Sequence, residues 1–158
     1  MDELSFNAAV RDAEKRMYAV ARSMLRSDAD CADAMQSAVF AAWRHLPALR
    51  DESRFQPWLM RILVNACRDI QRGYQRRGPE TSLDDSLPLP AGDGPDPELR
   101  LALAALPEKY RAPVVLRHLG GLPISEIARA LRLPPTTVKW RIHEGLKRLR
   151  KQMEEECI

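Results

Sequence analysis

Cysteine is scarce in this chain, and its three copies, Cys31, Cys67 and Cys157, lie far apart. An odd number with no CxxC pair and no paired histidine argues against a disulfide framework and against a zinc site. Cys31 and Cys67 are expected as buried thiols, and Cys157 as part of a frayed tail. Apolar runs near the roughly 18 residues of a membrane helix are absent, so no membrane-spanning segment is expected. No signal-peptide pattern opens the chain, which points to a cytoplasmic protein. No stretch alternates apolar and polar residues over the length of a strand, so the expected fold is all-α. His45, His118 and His143 are scattered without an Asp or Cys partner, and the carboxylate-rich stretch lies in a segment that cannot hold geometry. Neither catalysis, nor a cofactor, nor a metal, nor a small-molecule substrate is expected. Lys and Arg are missing altogether from residues 78 to 98, which hold six acids: Glu80, Asp84, Asp85, Asp93, Asp96 and Glu98.

That last absence frames what is present. The net charge is only +3, but the basic residues gather on either side of the acidic segment, and such asymmetry says more about partners than the sum does. The segment from 78 to 97 also holds five prolines and three glycines. It reads as a flexible acidic linker between two small helical domains, 1–77 and 98–153.

Residues 123 to 153, PISEIARALRLPPTTVKWRIHEGLKRLRKQM, read as two helices with a tight joint. Ile124, Ile127, Ala128 and Leu131 fall on one face of a 3.6-residue period, and Pro123 suits a first-turn position. Pro134-Pro135 must end that helix, because a proline removes a donor and restricts the residue before it. Pro135 can open the next helix, whose apolar seam is Val138, Ile142, Gly145, Leu146, Leu149 and Met153. Its polar face carries Thr136, Thr137, Lys139, Trp140, Arg141, His143, Glu144 and Lys147. This is the shape of a helix-turn-helix, whose second helix enters the DNA major groove. Six Lys or Arg against one Glu between 136 and 153 suit a partner that releases counterions when its phosphates are neutralised.

The N-terminal part predicts three helices. The first spans 4 to 26, with a stripe of Leu4, Val10, Met17, Val20, Ala21, Met24 and Leu25. The second spans 30 to 46, with Asp30 as N-cap, Asp33 in its first turn, and Ala34, Met35, Ala38, Val39, Ala42, Trp43 and Leu46 as its stripe. Gln36 and Ser37 share the polar flank of Asp33. After a polar loop over 47–56, a third helix begins at Pro57 and runs to about 76. Its exposed face, Arg61, Asn65, Arg68, Asp69, Arg72, Arg76 and Arg77, has five Arg against one Asp. Phe55, Trp58 and Tyr74 beside it suit either a core or a platform for unpaired bases. In the second domain, Leu99, Leu101, Leu103 and Leu106 mark a short helix. Another runs from Glu108 to Leu119 and ends at Gly120-Gly121. Leu106, Val114, Val115, Leu116, Ile127, Leu131, Val138, Ile142 and Leu149 are its expected core, and Glu154-Glu155-Glu156 a frayed end.

Three of these stretches together resemble the extracytoplasmic-function sigma factors of the bacterial sigma-70 family. DCADAMQSAVFAAW (30–43) is similar to that family's polymerase-binding helix, with matches at Asp30, Asp33, Gln36, Ala42 and Trp43. FQPWLMRILVNACRD (55–69) resembles its −10 helix, and LPEKYR, GLPISEIARAL, TVKWRI and LKRLR resemble its C-terminal domain. The resemblance implies a transcription initiation factor whose partners are core RNA polymerase, promoter DNA and an anti-sigma factor. It implies docking on polymerase through Asp33, Gln36 and Ser37, and capture of a flipped −10 base by the 47–56 loop with Phe55, Met60, Arg61, Asn65 and Arg68. It further implies reading of −35 bases by Lys139, Trp140, His143 and Glu144, with Thr136, Thr137, Arg141 and Lys147 on phosphates. The acidic linker would thread toward the RNA exit channel.

Several positions depart from the family pattern. Arg132 and Thr136 stand where Gly is frequent, Trp140 where a small residue is usual, and Glu144 where Arg is usual. Glu can only accept, for example from cytosine N4, whereas Arg reads guanine as a double donor. Replacing Glu144 with Arg is therefore expected to shift the −35 preference toward guanine. Trp140 suits either contact with a thymine methyl or packing on the preceding helix. Two rivals remain at this point: a stand-alone helix-turn-helix regulator, and a nucleic-acid-processing enzyme, for which no metal-binding cluster or nucleophile is found.

Overall fold

The computed structural model describes residues 1–77 and 97–156. The expected linker, apart from Pro97, and Cys157 lie outside the described residues. The chain divides into two compact units, Met1–Leu87 and Pro88–Ile158. All regular structure among the described residues is helical, and no helix there is long and apolar enough to cross a membrane.

The first unit packs three helices against one another: α1 (Glu3–Met24), α2 (Asp28–His45) and α3 (Phe55–Arg77), with 3₁₀ turns at Leu46–Ala48 and Glu52–Arg54 before α3. Asp2 caps α1 by accepting from the Ser5 amide at 2.8 Å. The cap of α2 is Ser27 rather than Asp30: the Ser27 hydroxyl accepts from the Asp30 amide at 3.1 Å. The helix therefore starts earlier than its periodicity suggests, and Asp28 and Asp30, not Asp33, occupy the first turn. Pro57 is the third residue of α3, still in the turn where its missing N–H has no intrahelical partner.

The core of this unit follows the expected stripes with two corrections. Leu4 is exposed, and Phe6 is buried in its place. From α2, only the small residues Cys31, Ala34, Ala38 and Ala42 are buried. They let α1 and α3 approach closely, while Met35 and Val39 stay half-buried and Trp43 exposed at the edge. Side chains such as Met17 and Leu63, fully enclosed here, stabilise by roughly 1.5–3 kcal/mol each.

The second unit contains α4 (Pro97–Ala105), α5 (Glu108–His118), α6 (Ile124–Leu131) and α7 (Pro135–Glu156). α7 packs on α4, α5 and α6. The expected core is buried except Leu131, which is half-buried, and Tyr110 and Leu122 join it. α5 closes with Leu119 and Gly120 both donating to the Val115 carbonyl, and Gly121 turns left-handed at φ 68°. α6 closes on Arg132, also left-handed at φ 57°, with the Leu133 amide donating to the Ala128 carbonyl at 3.0 Å. That six-to-one bond is the Schellman closure, which usually places glycine where Arg132 stands. Pro135 opens α7 as the joint requires. Glu154-Glu155-Glu156, expected as a frayed end, continue the helix.

Candidate nucleic-acid and protein interfaces

Asp33, Gln36 and Ser37 are all exposed and lie together on one flank of α2. The same flank continues into Phe40, 63% exposed, and Trp43, 45% exposed. Phe6, Met35, Gln36, Val39, Phe40 and Trp43 line a groove of about 540 Å³ between α1 and α2. The Arg44 guanidinium lies 4.9 Å over the Phe40 ring, and Trp43 meets Phe6 edge-on at 5.1 Å. The surface is thus polar at one end and aromatic at the other. Phe40 is the residue the sequence reading missed. Its signal was its phase, three and four residues after Ser37 and Gln36 rather than in the apolar stripe.

Along α3, Arg61 and Asn65 are exposed and Arg68 is half-buried, and the face continues through exposed Arg72 and Arg76. The spacing of three and four residues keeps these groups on one side. Arg72 pairs with Asp69 at 3.0 Å. Two of the residues expected on this surface lie beneath it. Phe55 is 3% exposed and Met60 1%, because both fall in phase with Leu59, Leu63 and Cys67 on the core face. Phe55 stacks edge-on with Phe6 at 5.7 Å and stands 6.0 Å from half-buried Trp58. They support the surface from behind rather than meeting a base.

Tyr74 is also committed elsewhere: its phenol donates to the Asp30 carboxylate, and Arg26 covers its ring at 4.4 Å. Burial, then that hydrogen bond, push the phenol pKa up to about 12. In the loop before α3, the Ser53 hydroxyl and amide both donate to Asp51. They hold its carboxyl below the usual carboxylate range. Cys31 and Cys67 are buried thiols as expected, with burial raising them to about 11 and about 12.

On α7, Thr136, Lys139, Trp140, His143 and Lys147 are exposed, while Thr137, Arg141 and Glu144 are half-buried. The Trp140 ring lies 6.2 Å from Tyr110, which belongs to α5 rather than to the helix directly before α7, and 58% of the residue is exposed. Arg148, which the sequence reading counted only as charge, places its Nε 3.2 Å from Glu144 Oε1 and its guanidinium 4.4 Å from the Tyr110 ring. The opposite seam is buried at Val138, Ile142, Gly145 and Leu149, whereas Leu146 and Met153 are half-buried.

A Sigma-70 region 2 family model matches residues 9–77, and a Sigma-70, region 4 model matches residues 97–149. The chain is 32% identical to the ECF RNA polymerase sigma factor SigM of Mycobacterium tuberculosis, over 94% of this chain and 76% of that protein. It is 28% identical to the ECF RNA polymerase sigma factor SigW of Bacillus subtilis, over 98% and 91%. Among solved structures it is similar to CnrH in complex with the cytosolic domain of CnrY, at 25% identity and TM-score 0.59, covering 98% of this chain and 90% of that one. It shares the fold of the sigma factor RpoE from Bartonella quintana, solved with the anti-sigma factor NepR, at 20% identity and TM-score 0.63 over 95% and 97%.

Proposed function

This chain belongs to the extracytoplasmic-function (ECF) sigma factors, transcription initiation factors that direct core RNA polymerase to promoters, and from that premise we propose how its residues divide the work. Residues 1–77 dock on polymerase and hold melted −10 DNA, residues 98–153 read duplex −35 DNA, and 78–97 join them. Asp33, Gln36 and Ser37 form the polar part of the docking face, with Phe40 and Trp43 as its apolar anchors. Arg61, Asn65 and Arg68 track the exposed strand, with Phe55 and Met60 fixing the helix beneath them. On α7, Lys139, Trp140, His143 and Glu144 face bases, and Thr136, Thr137, Arg141 and Lys147 face phosphates.

The observation that carries this division is the contrast between the two basic faces. On α3 the arginines are spread along a whole helix flank, which suits a flexible single strand. On α7 the N-terminal half presents a short exposed set of mixed chemistry, Thr136, Lys139, Trp140 and His143, which suits reading base edges, and Lys147, Arg148, Arg150 and Lys151 continue the basic face behind it. The chain supplies no catalytic step; phosphodiester synthesis belongs to the polymerase. It acts in the cytoplasm, where its template and polymerase are. An anti-sigma factor is a further partner, supported by the complexes in which CnrH and RpoE were solved.

The test is transcription by core polymerase, with and without this chain, from templates randomised at −35 and −10. Transcripts starting at a fixed distance from an enriched pair of elements, only when the chain is present, are expected. Tight duplex binding by the chain alone with no stimulation of polymerase would favour a stand-alone regulator instead.

A further inference from the structure

We propose that Glu144 selects a cytosine in duplex promoter DNA, with Arg148 as its positioning residue, seated on the ring of Tyr110. This rests on the reading of α7 as the helix that enters the major groove. Among the six Lys and Arg side chains between 136 and 153, Glu144 is the one acid. A carboxylate brought near phosphates is repelled, so its charge must be offset close by. Arg148 does this from one turn further on, with Nε 3.2 Å from Glu144 Oε1.

Arg148 is itself fixed. Its guanidinium lies 4.4 Å from the centroid of Tyr110, and Trp140, one turn before Glu144, lies 6.2 Å from the same ring. Tyr110 is 3% exposed and belongs to a different helix, so the platform does not move with the side chains it holds. Trp140, Glu144 and Arg148 follow one another at four-residue spacing on one side of α7. Glu144 is bracketed between two neighbours that share one anchor. Its side chain is 23% exposed, accessible to a partner but limited in the positions it can sample. The structure gives Oε2 no partner among the described residues.

The chemistry of the bases then decides what Oε2 can meet. A carboxylate only accepts. In the major groove guanine presents the N7 and O6 acceptors, thymine the O4 acceptor, and adenine the N6 donor beside the N7 acceptor. Cytosine alone presents a donor, N4, with no acceptor next to it. A carboxylate held in one place therefore favours cytosine and disfavours guanine most. Arg148 contributes by restricting where that carboxylate sits, and not by touching the base.

The experiment uses the full chain with core polymerase and a promoter library randomised across the −35 element. It compares the wild type with Glu144→Ala, Glu144→Gln, Arg148→Ala and Arg148→Lys. The wild type is expected to enrich cytosine at one position by about tenfold, the scale of one good base contact. Glu144→Ala should flatten that position alone. Glu144→Gln should raise adenine there, because an amide can accept from N6 while donating to N7. Arg148→Ala should broaden the same position, and Arg148→Lys, which keeps a cation beside Glu144, should restore it. The readout is a ratio within the library, so a uniform loss of phosphate affinity does not move it. A −35 motif with no cytosine preference, or one left unchanged by Glu144→Ala, overturns the proposal. Arg148→Ala with an unchanged profile overturns the positioning role. A wild type that enriches a −10 element but no −35 element would instead overturn the reading of α7 itself.

Discussion

The phenol of Tyr74, late in α3, donates to the carboxylate of Asp30 in the first turn of α2. The same oxygen accepts from the Arg26 amide at 3.3 Å, while the Arg26 guanidinium lies 4.4 Å over the ring. One turn earlier, Gln71 Nε2 donates to the Met24 carbonyl at 3.0 Å. These bonds fasten the end of α3 to the corner between α1 and α2, and so fix the angle at which the arginine face of α3 is presented.

Tyr74→Phe should therefore lower the stability of the first unit by about 1–2 kcal/mol, since it removes a bond to a charged acceptor but keeps the ring under Arg26. The pH dependence follows from the same group. The Tyr74 phenol is pushed up to about 12 against 10.0 for the free side chain, and so is that of Tyr18, half-buried and bonded to Asp28. A raised pKa means the folded state holds its proton longer. Stability is complete below the unfolded value and falls as pH rises from about 10 toward 12. Thermal unfolding across alkaline pH should show this fall in the wild type and a smaller one in Tyr74→Phe.

The docking face of α2 predicts a separation of binding from folding. Asp33, Gln36 and Phe40 are exposed, so alanine at each should change stability by no more than about 0.5 kcal/mol. Affinity for core polymerase should fall about tenfold or more for Phe40→Ala, since exposed aromatic residues carry much of an interface's energy. Titration of each variant against core polymerase, beside its melting curve, measures both. A variant that binds normally would remove that residue from the face.

How far the sequence spoke depended on whether a residue's role was local. The helices and the helix-turn-helix were legible because a 3.6-residue period reports which side faces a core. The same period puts Leu59, Leu63 and Cys67 on one buried face of α3, and Phe55 and Met60 share that face. Assigning those two to DNA followed a motif resemblance against their own phase. Periodicity does not report how wide a buried stripe is: it puts Trp43 in the stripe of α2, whereas the helix buries only its small residues. The cap of α2 was ambiguous because Ser27, Asp28 and Asp30 all suit the role, and the hydrogen bond of Ser27 decided it. The four-residue spacing of Glu144 and Arg148 permits their pairing but does not by itself single it out from the other cations of α7. The anchor of the pair, Tyr110, lies on another helix, and no local signal announces such a contact.

Arg132 shows a cost the chain carries at the joint of its helix-turn-helix. Its φ of 57° puts a side chain in the left-handed region, which disfavours a β-carbon by roughly 1–2 kcal/mol. Arg132→Gly removes that strain but gives the unfolded chain more freedom. The net expectation is a gain of up to about 1 kcal/mol in the second unit. Urea unfolding of the two forms would measure it, and a loss of stability would mean that the Arg132 side chain contributes more than its backbone costs.

Gly145 shows the opposite constraint, on space rather than on φ. A β-carbon there would lie 2.7 Å from Val114 Cγ2 and 3.3 Å from both the Cβ and the carbonyl oxygen of Tyr110. The backbone of α7 thus rests directly on α5, beside the ring that anchors Trp140 and Arg148. Val114 has little room to yield, because a β-branched side chain in a helix is held near one rotamer. Alanine would gain about 1 kcal/mol of helix propensity, while overpacking costs about 1–3 kcal/mol. Gly145→Ala should therefore destabilise the second unit by up to about 2 kcal/mol, the clash outweighing the propensity. Adding Val114→Ala removes the closest contact and should return part of the loss, so the double variant should be more stable than the two single losses sum to. Urea unfolding of the four forms tests this directly. A Gly145→Ala protein as stable as the wild type would show that α7 can lift from α5 at little cost.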